Sequence, residues 1–251
     1  MDKKNENSLS VKVVLVGDSG VGKTSIIKQF TENKFEPDNT SPSIASQYST
    51  KYMDIEETGK KIKFDLWDTA GQEVYRSLAK IFYKDANIII LVYDITSQKS
   101  FEGIEKYWYH QIKSTLIHDS IIALIGNKND LYNEQIVEDE EARKYAESIN
   151  ALFYKISAKS NSGLNLLFQI LGRKFIEPNF DYKKYEEEEK KSYNEKIENE
   201  KKEKKEKKEK KIKRKKKDTI ENDNEFDTDY SIGSIKLYNN IGNKKNKKLC
   251  C

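Results

Sequence analysis

The sequence predicts an α/β fold of three layers: a mostly parallel six-stranded sheet with one antiparallel edge strand, and helices on both faces. Three observations predict it. Short, mostly apolar runs recur at Val11–Val16, Ile88–Tyr93, Ile121–Ile125 and Leu152–Ile156, as in strands buried on both faces. Segments with helical spacing separate them. One pair of alternating segments is joined by the turn Glu57-Thr58-Gly59-Lys60 and reads as a hairpin.

In chain order, the run Val11–Val16 stops at Gly17, and helical spacing follows from Thr24, with Ile26, Ile27 and Phe30 on the buried side. The hairpin pairs Gln47–Glu56 with Ile62–Trp67. Strand Ile88–Tyr93 precedes a helix near Phe101–Leu116, and strand Ile121–Ile125 one near Glu138–Ile149. Leu152–Ile156 is the last strand, and Leu164–Ile176 the last packed helix. In open parallel sheets ligands bind beyond the carboxyl ends of the strands. The loops that start at Gly17, Asp68, Asn127 and Ser157 therefore share one rim and one ligand.

Charge divides the chain. Residues 1–177 hold 23 Lys/Arg and 25 Asp/Glu, whereas residues 178–251 hold 23 basic and 17 acidic residues. A near-neutral body gives no reason to expect nucleic acid as a partner, and a basic tail suits an anionic surface such as a membrane leaflet. Three parts are expected: a disordered N-terminus over 1–9, a domain over 10–177 and a charged tail over 178–251. Met1–Ser10 lacks the apolar core of a secretory signal. Two cysteines, Cys250 and Cys251, leave no disulfide framework and fit a cytosolic setting.

The first rim loop is Gly17-Asp18-Ser19-Gly20-Val21-Gly22-Lys23-Thr24, followed by Ser25. It matches the phosphate-loop pattern of Gly, four residues, then Gly-Lys-Ser/Thr. Its glycines let backbone N–H groups turn toward phosphate oxygens, and the next helix offers its positive end. Lys23 is expected on the β- and γ-phosphates and the Thr24 hydroxyl on Mg²⁺. The loop is silent about the base. Asn127-Lys128-Asn129-Asp130 reads that: the Asp130 carboxylate accepts from the N1–H and exocyclic amine of guanine, and adenine lacks that amine. Lys128 lends its stem as a platform and Asn127 braces the loops. In Ser157-Ala158-Lys159 the Ala158 N–H is expected to donate to the guanine carbonyl. In Asp68-Thr69-Ala70-Gly71-Gln72, Asp68 is expected on a water of Mg²⁺, the Gly71 N–H on the γ-phosphate, and Gln72 on the attacking water.

With these loops in place, residues 10–177 resemble the Rab branch of the Ras-like small GTPases, with the early-endosomal Rabs most similar. The resemblance rests on Trp67-Asp68-Thr69-Ala70-Gly71-Gln72-Glu73, Tyr75-Arg76-Ser77-Leu78, Phe82-Tyr83-Lys84-Asp85-Ala86 and Leu91-Val92-Tyr93-Asp94-Ile95-Thr96. It implies a phosphate-loop GTPase fold and a switch that recruits effectors with GTP and releases them with GDP. Exchange factors, GTPase-activating proteins and a GDP dissociation inhibitor would be its regulators. It also places Phe35 on the guanine edge and makes Tyr48, Trp67 and Phe82 an effector surface. Ordinary core or hairpin packing is the other reading of those three.

The first switch departs from the family pattern. The threonine expected seven residues after Phe35 is replaced by Pro42, which has no N–H. One inserted residue aligns Ser43 with the Mg²⁺ ligand and keeps Tyr48 in register; Thr40 is the alternative. Hydrolysis slower than usual is one consequence. His110 and His118 read as surface residues.

Lys183–Lys217 is nearly all Lys and Glu and cannot bury a core. Favourable pairs such as Glu198/Lys202 leave both a solvated helix and a disordered spacer open. Lys210–Lys217 reads as a solvated low-complexity run rather than a nucleic-acid site. The terminal Cys250-Cys251, after lysines 244, 245, 247 and 248, resembles the doubly geranylgeranylated end of Rabs. Two lipid chains, or one with basic residues, suffice for anchoring. The sequence thus points to a slow GTP hydrolase with a monomeric core, working as a trafficking switch on an endomembrane. A non-hydrolysing, nucleotide-dependent binding module is the alternative; a kinase lacks an evident acceptor site.

Overall fold

The computed structural model describes residues 8–37, 47–69, 82–115, 120–185 and 187. The strands are β1 (Leu9–Val16), β2 (Gln47–Ile55), β3 (Lys60–Asp68), β4 (Ile88–Asp94), β5 (Ile121–Asn127) and β6 (Leu152–Lys155). The helices are α1 (Lys23–Glu32), α2 (Gln98–Gly103), α3 (Tyr109–Lys113), α4 (Asp139–Ser148) and α5 (Leu164–Ile176). A π turn, Ile104–Trp108, joins α2 to α3, and a 3₁₀ segment spans Asn129–Glu134. The sheet order is β2-β3-β1-β4-β5-β6; only β2 and β3 pair antiparallel, and the other four pairs are parallel.

Every residue of β4 is buried because the sheet is covered on both sides. Ile89, Leu91 and Tyr93 face one way, into a core completed by Val14, Phe101, Trp108, Leu124, Ala142 and Ala146. On the opposite face Phe30 of α1 stacks on Phe168 of α5 at 3.6 Å between centroids, and both meet the edge of Phe64. The edge strand β2 alternates exposed and half-buried residues, consistent with its period-two pattern.

Two boundaries differ from the sequence expectation. The first strand starts at Leu9, inside the stretch expected to be disordered, because Leu9 and Ser10 continue the parallel ladder opposite Ile62 and Lys63. Both are exposed, so apolar patterning gave no sign of them. The body also continues past residue 177, to a boundary that follows Lys183. The Arg173 guanidinium lies 4.4 Å from the Phe180 ring centroid, and Lys183 Nζ meets Glu147 Oε1 at 3.0 Å. No helix among the described residues is long and apolar enough to cross a membrane.

Candidate functional site

The carboxyl ends of β1, β3, β4, β5 and β6 bring the sequence-selected loops to one rim. After β1 the chain turns sharply at Gly17, where a Cβ would sit 2.2 Å from the Val92 carbonyl oxygen. Gly22 enters α1 at φ +96°, and a Cβ there would sit 2.3 Å from Asn127 Nδ2. These close approaches demand glycine at both positions. Between them Ser19 and Gly20 are exposed, Val21 is buried, and Ser25 lies half-buried on α1.

Lys23 folds back over its own loop, donating from Nζ to the carbonyls of Gly17 at 2.8 Å and Asp18 at 2.9 Å. Burial draws its ammonium down to about 8, against a partial upward pull from Asp68 and Asp18. The Thr24 hydroxyl donates to Asp68 Oδ2 at 2.6 Å, so two hard oxygen donors, one from the start of α1 and one from the end of β3, meet beside Lys23. Thr69 fixes that junction by donating from its buried hydroxyl to the Leu15 carbonyl at 2.6 Å. This oxygen chemistry fits Mg²⁺, which takes few protein ligands when phosphates supply others. No cluster of three or more His, Cys, Asp or Glu residues suited to a metal occurs among the described residues. His110 is exposed.

Asn127, at the end of β5, braces two loops. Its Nδ2 donates to the Val21 carbonyl at 2.9 Å, and its Oδ1 accepts from the Ala158 N–H at 3.1 Å. The structure therefore directs the Ala158 N–H, expected on the base, toward Asn127. Lys128 adopts φ +67° and reaches Asp94 Oδ2 at 2.6 Å. Asp130 Oδ1 accepts from the Ser157 hydroxyl at 2.6 Å, while Lys159 Nζ lies 3.8 Å from Oδ2. Phe35 is half-buried beyond α1.

Asp94 is a residue that sequence reasoning missed in this role. It ends β4, is buried, and accepts from both the N–H and the hydroxyl of Thr96 at 2.9 and 2.8 Å while holding Lys128. The available signal was a carboxylate closing a wholly apolar strand on the ligand rim.

Next to Asp68, Tyr48 and Trp67 face each other across β2 and β3 with centroids 5.1 Å apart, and Phe82 follows 5.7 Å from Trp67. Tyr48 is 50% exposed and the other two are half-buried, so the three form one surface cluster. Thr40, Ser43, Gly71, Gln72, Cys250 and Cys251 lie outside the described residues, as do residues 1–7 and most of the tail.

This fold is that of the phosphate-loop GTPases. The sequence profile of the Ras family matches residues 12–177. Rab-21 of Homo sapiens is 42% identical over 168 residues, covering 67% of this chain and 73% of that protein. RabJ of Dictyostelium discoideum is 39% identical over 185 residues, covering 73% of this chain and 71% of RabJ. RabC of the same organism is 39% identical over 166 residues, covering 66% of this chain and 84% of RabC. The chain belongs to the Ras family of small GTPases, within its Rab branch, and so is a GTPase that binds GTP and GDP.

Proposed function

We propose that this GTPase is a slow, regulated switch of vesicle trafficking that recruits effectors to an endosomal or related endomembrane while it holds GTP. The carrying observation is the bridge from Asn127 to both Val21 and Ala158, which links the phosphate loop to both base-reading loops. In this reading the backbone N–H groups from Asp18 to Ser25 surround the phosphates, and Lys23 turns from its own loop carbonyls to the β- and γ-oxygens. Asp130 accepts from guanine, Lys128 lies along the base, and Phe35 closes its edge. The Ala158 N–H is shared between Asn127 and the guanine oxygen, a three-centre arrangement common in proteins.

Thr24 and Asp68 would hold Mg²⁺, with Ser43 completing the set and Thr40 second in line. Bound there, the ion would offset the negative charge gathered on the phosphates. Gln72 orients the attacking water and the Gly71 N–H steadies the γ-phosphate. Membership of a GTPase family favours turnover over the non-hydrolysing alternative.

Tyr48, Trp67 and Phe82 are the surface offered to effectors, and their partial exposure in one contiguous cluster supports that role. Regulators accelerate exchange and hydrolysis. Lipid chains on Cys250 and Cys251, with neighbouring lysines, hold the protein on the cytoplasmic face, from which it cycles to the cytosol. Single-turnover hydrolysis tests the reading. Wild-type protein should turn over GTP and Gln72→Leu should slow it at least tenfold; equal rates would reject the role of Gln72.

A further inference from the structure

The phosphate loop carries a carboxylate, Asp18, next to where a polyanion binds. Three features of the described structure hold that carboxylate. The Trp108 indole N–H donates to Asp18 Oδ1 at 2.8 Å, from a side chain with no exposed surface. Gly103 leaves the space that Asp18 fills: a Cβ there would sit 2.7 Å from Oδ2 and 3.2 Å from Cγ. Between these two residues the helix opens into the π turn Ile104–Trp108. The extra residue of a π turn sets the following side chains back by about a quarter of a turn relative to an unbroken α-helix, and such turns gather at functional sites.

We propose that Trp108 is a positioning residue for nucleotide retention, holding the Asp18 carboxylate against α2 while the loop backbone faces the phosphates. Asp18 thereby divides its roles: its carbonyl accepts from Lys23, and its carboxylate accepts from the indole. Losing the indole donor removes one hold on a half-buried carboxylate beside the phosphate oxygens, which it then repels more strongly. The inference rests on the reading that Gly17–Thr24 holds the phosphates.

The test is a double-mutant cycle on the full chain, measuring dissociation of N-methylanthraniloyl-GDP into excess GDP. Trp108→Phe should speed release about tenfold, the order expected for one hydrogen bond to a charged group. In an Asp18→Ala background the same change should alter release by less than about twofold, since no carboxylate remains to be held. A packing role would speed release equally in both backgrounds, and that result overturns the proposal. So does an unchanged rate in Trp108→Phe alone. Gly103→Ala displaces Oδ2 while leaving residue 108 unaltered, and carries the same test if Trp108→Phe does not fold. It too should speed release only where Asp18 is present, and an equal effect in both backgrounds again overturns the proposal. Wild-type protein that fails to retain the labelled GDP refutes the loop reading itself, and the inference with it.

Discussion

Asn127→Ala is the perturbation whose size the structure constrains best. The side chain is buried, and its two hydrogen bonds end on the buried residues Val21 and Ala158. Truncation leaves one carbonyl and one N–H without their partner in a site closed to water. Each such orphaned group costs about 1–3 kcal/mol, and the lost contacts of the amide add a little. The total is about 3 kcal/mol, felt in both the fold and the nucleotide complex because the bridged loops form the pocket floor. For a body of this size, 1 kcal/mol corresponds to roughly 2–4 °C, so melting of the nucleotide-free protein should fall by about 6–12 °C. If the complex loses half as much again as the nucleotide-free fold, GDP dissociates about tenfold faster. Paired thermal melts and labelled-GDP release measure both. Release within twofold of wild type and melting within 2 °C would refute the idea that Asn127 bridges the loops.

Three further outcomes follow from individual side chains. Lys23 is held at about 8 by burial, whereas an exposed lysine titrates near 10.5. Between those values the unfolded chain binds a proton the folded, nucleotide-free chain has released. The burial penalty is therefore full below about pH 8 and relieved as pH rises through the window. Bound phosphate restores the charge, so GDP affinity should be level below about pH 8 and fall toward tenfold per unit above it. Calorimetry at pH 9 in buffers of different ionisation heat should register proton uptake; none would contradict the assignment. Tyr93→Phe removes a buried hydroxyl with no hydrogen-bond partner among the described residues and should raise melting by about 2–4 °C, whereas a lower melting point would mean the hydroxyl is satisfied. Gly22→Ala drives a Cβ onto Asn127 Nδ2 and should weaken labelled-GDP binding by at least about tenfold, with a change under threefold counting against so close a contact between the two loops.

Much of the architecture was legible because burial leaves a simple trace. A run such as Ile88–Tyr93, covered on both faces, must be apolar throughout, and the hairpin's alternation marks a sheet edge with one face open. The rim was legible because phosphate cradling requires Gly17 and Gly22 at fixed places. Less visible were contacts created by register between distant segments. Asp94 reaches Lys128 because β4 and β5 pair Asp94 with Asn127, a match no local pattern encodes. The π turn before Trp108 was hidden for another reason: with six helical residues before it and five after, the segment is too short for a one-residue shift in apolar spacing to stand out. Leu9 escaped notice because a strand end exposed to solvent carries no burial signal.

The central claim is that one guanine nucleotide is gripped by loops from separate strands. Competition against labelled GDP with GDP, inosine diphosphate and ADP tests it most directly. GDP should displace the label. Inosine diphosphate lacks the exocyclic amine, leaves half of the Asp130 contact unmade, and should compete at least about tenfold less well. ADP should fail at any practical concentration. Equal displacement by all three would contradict the account.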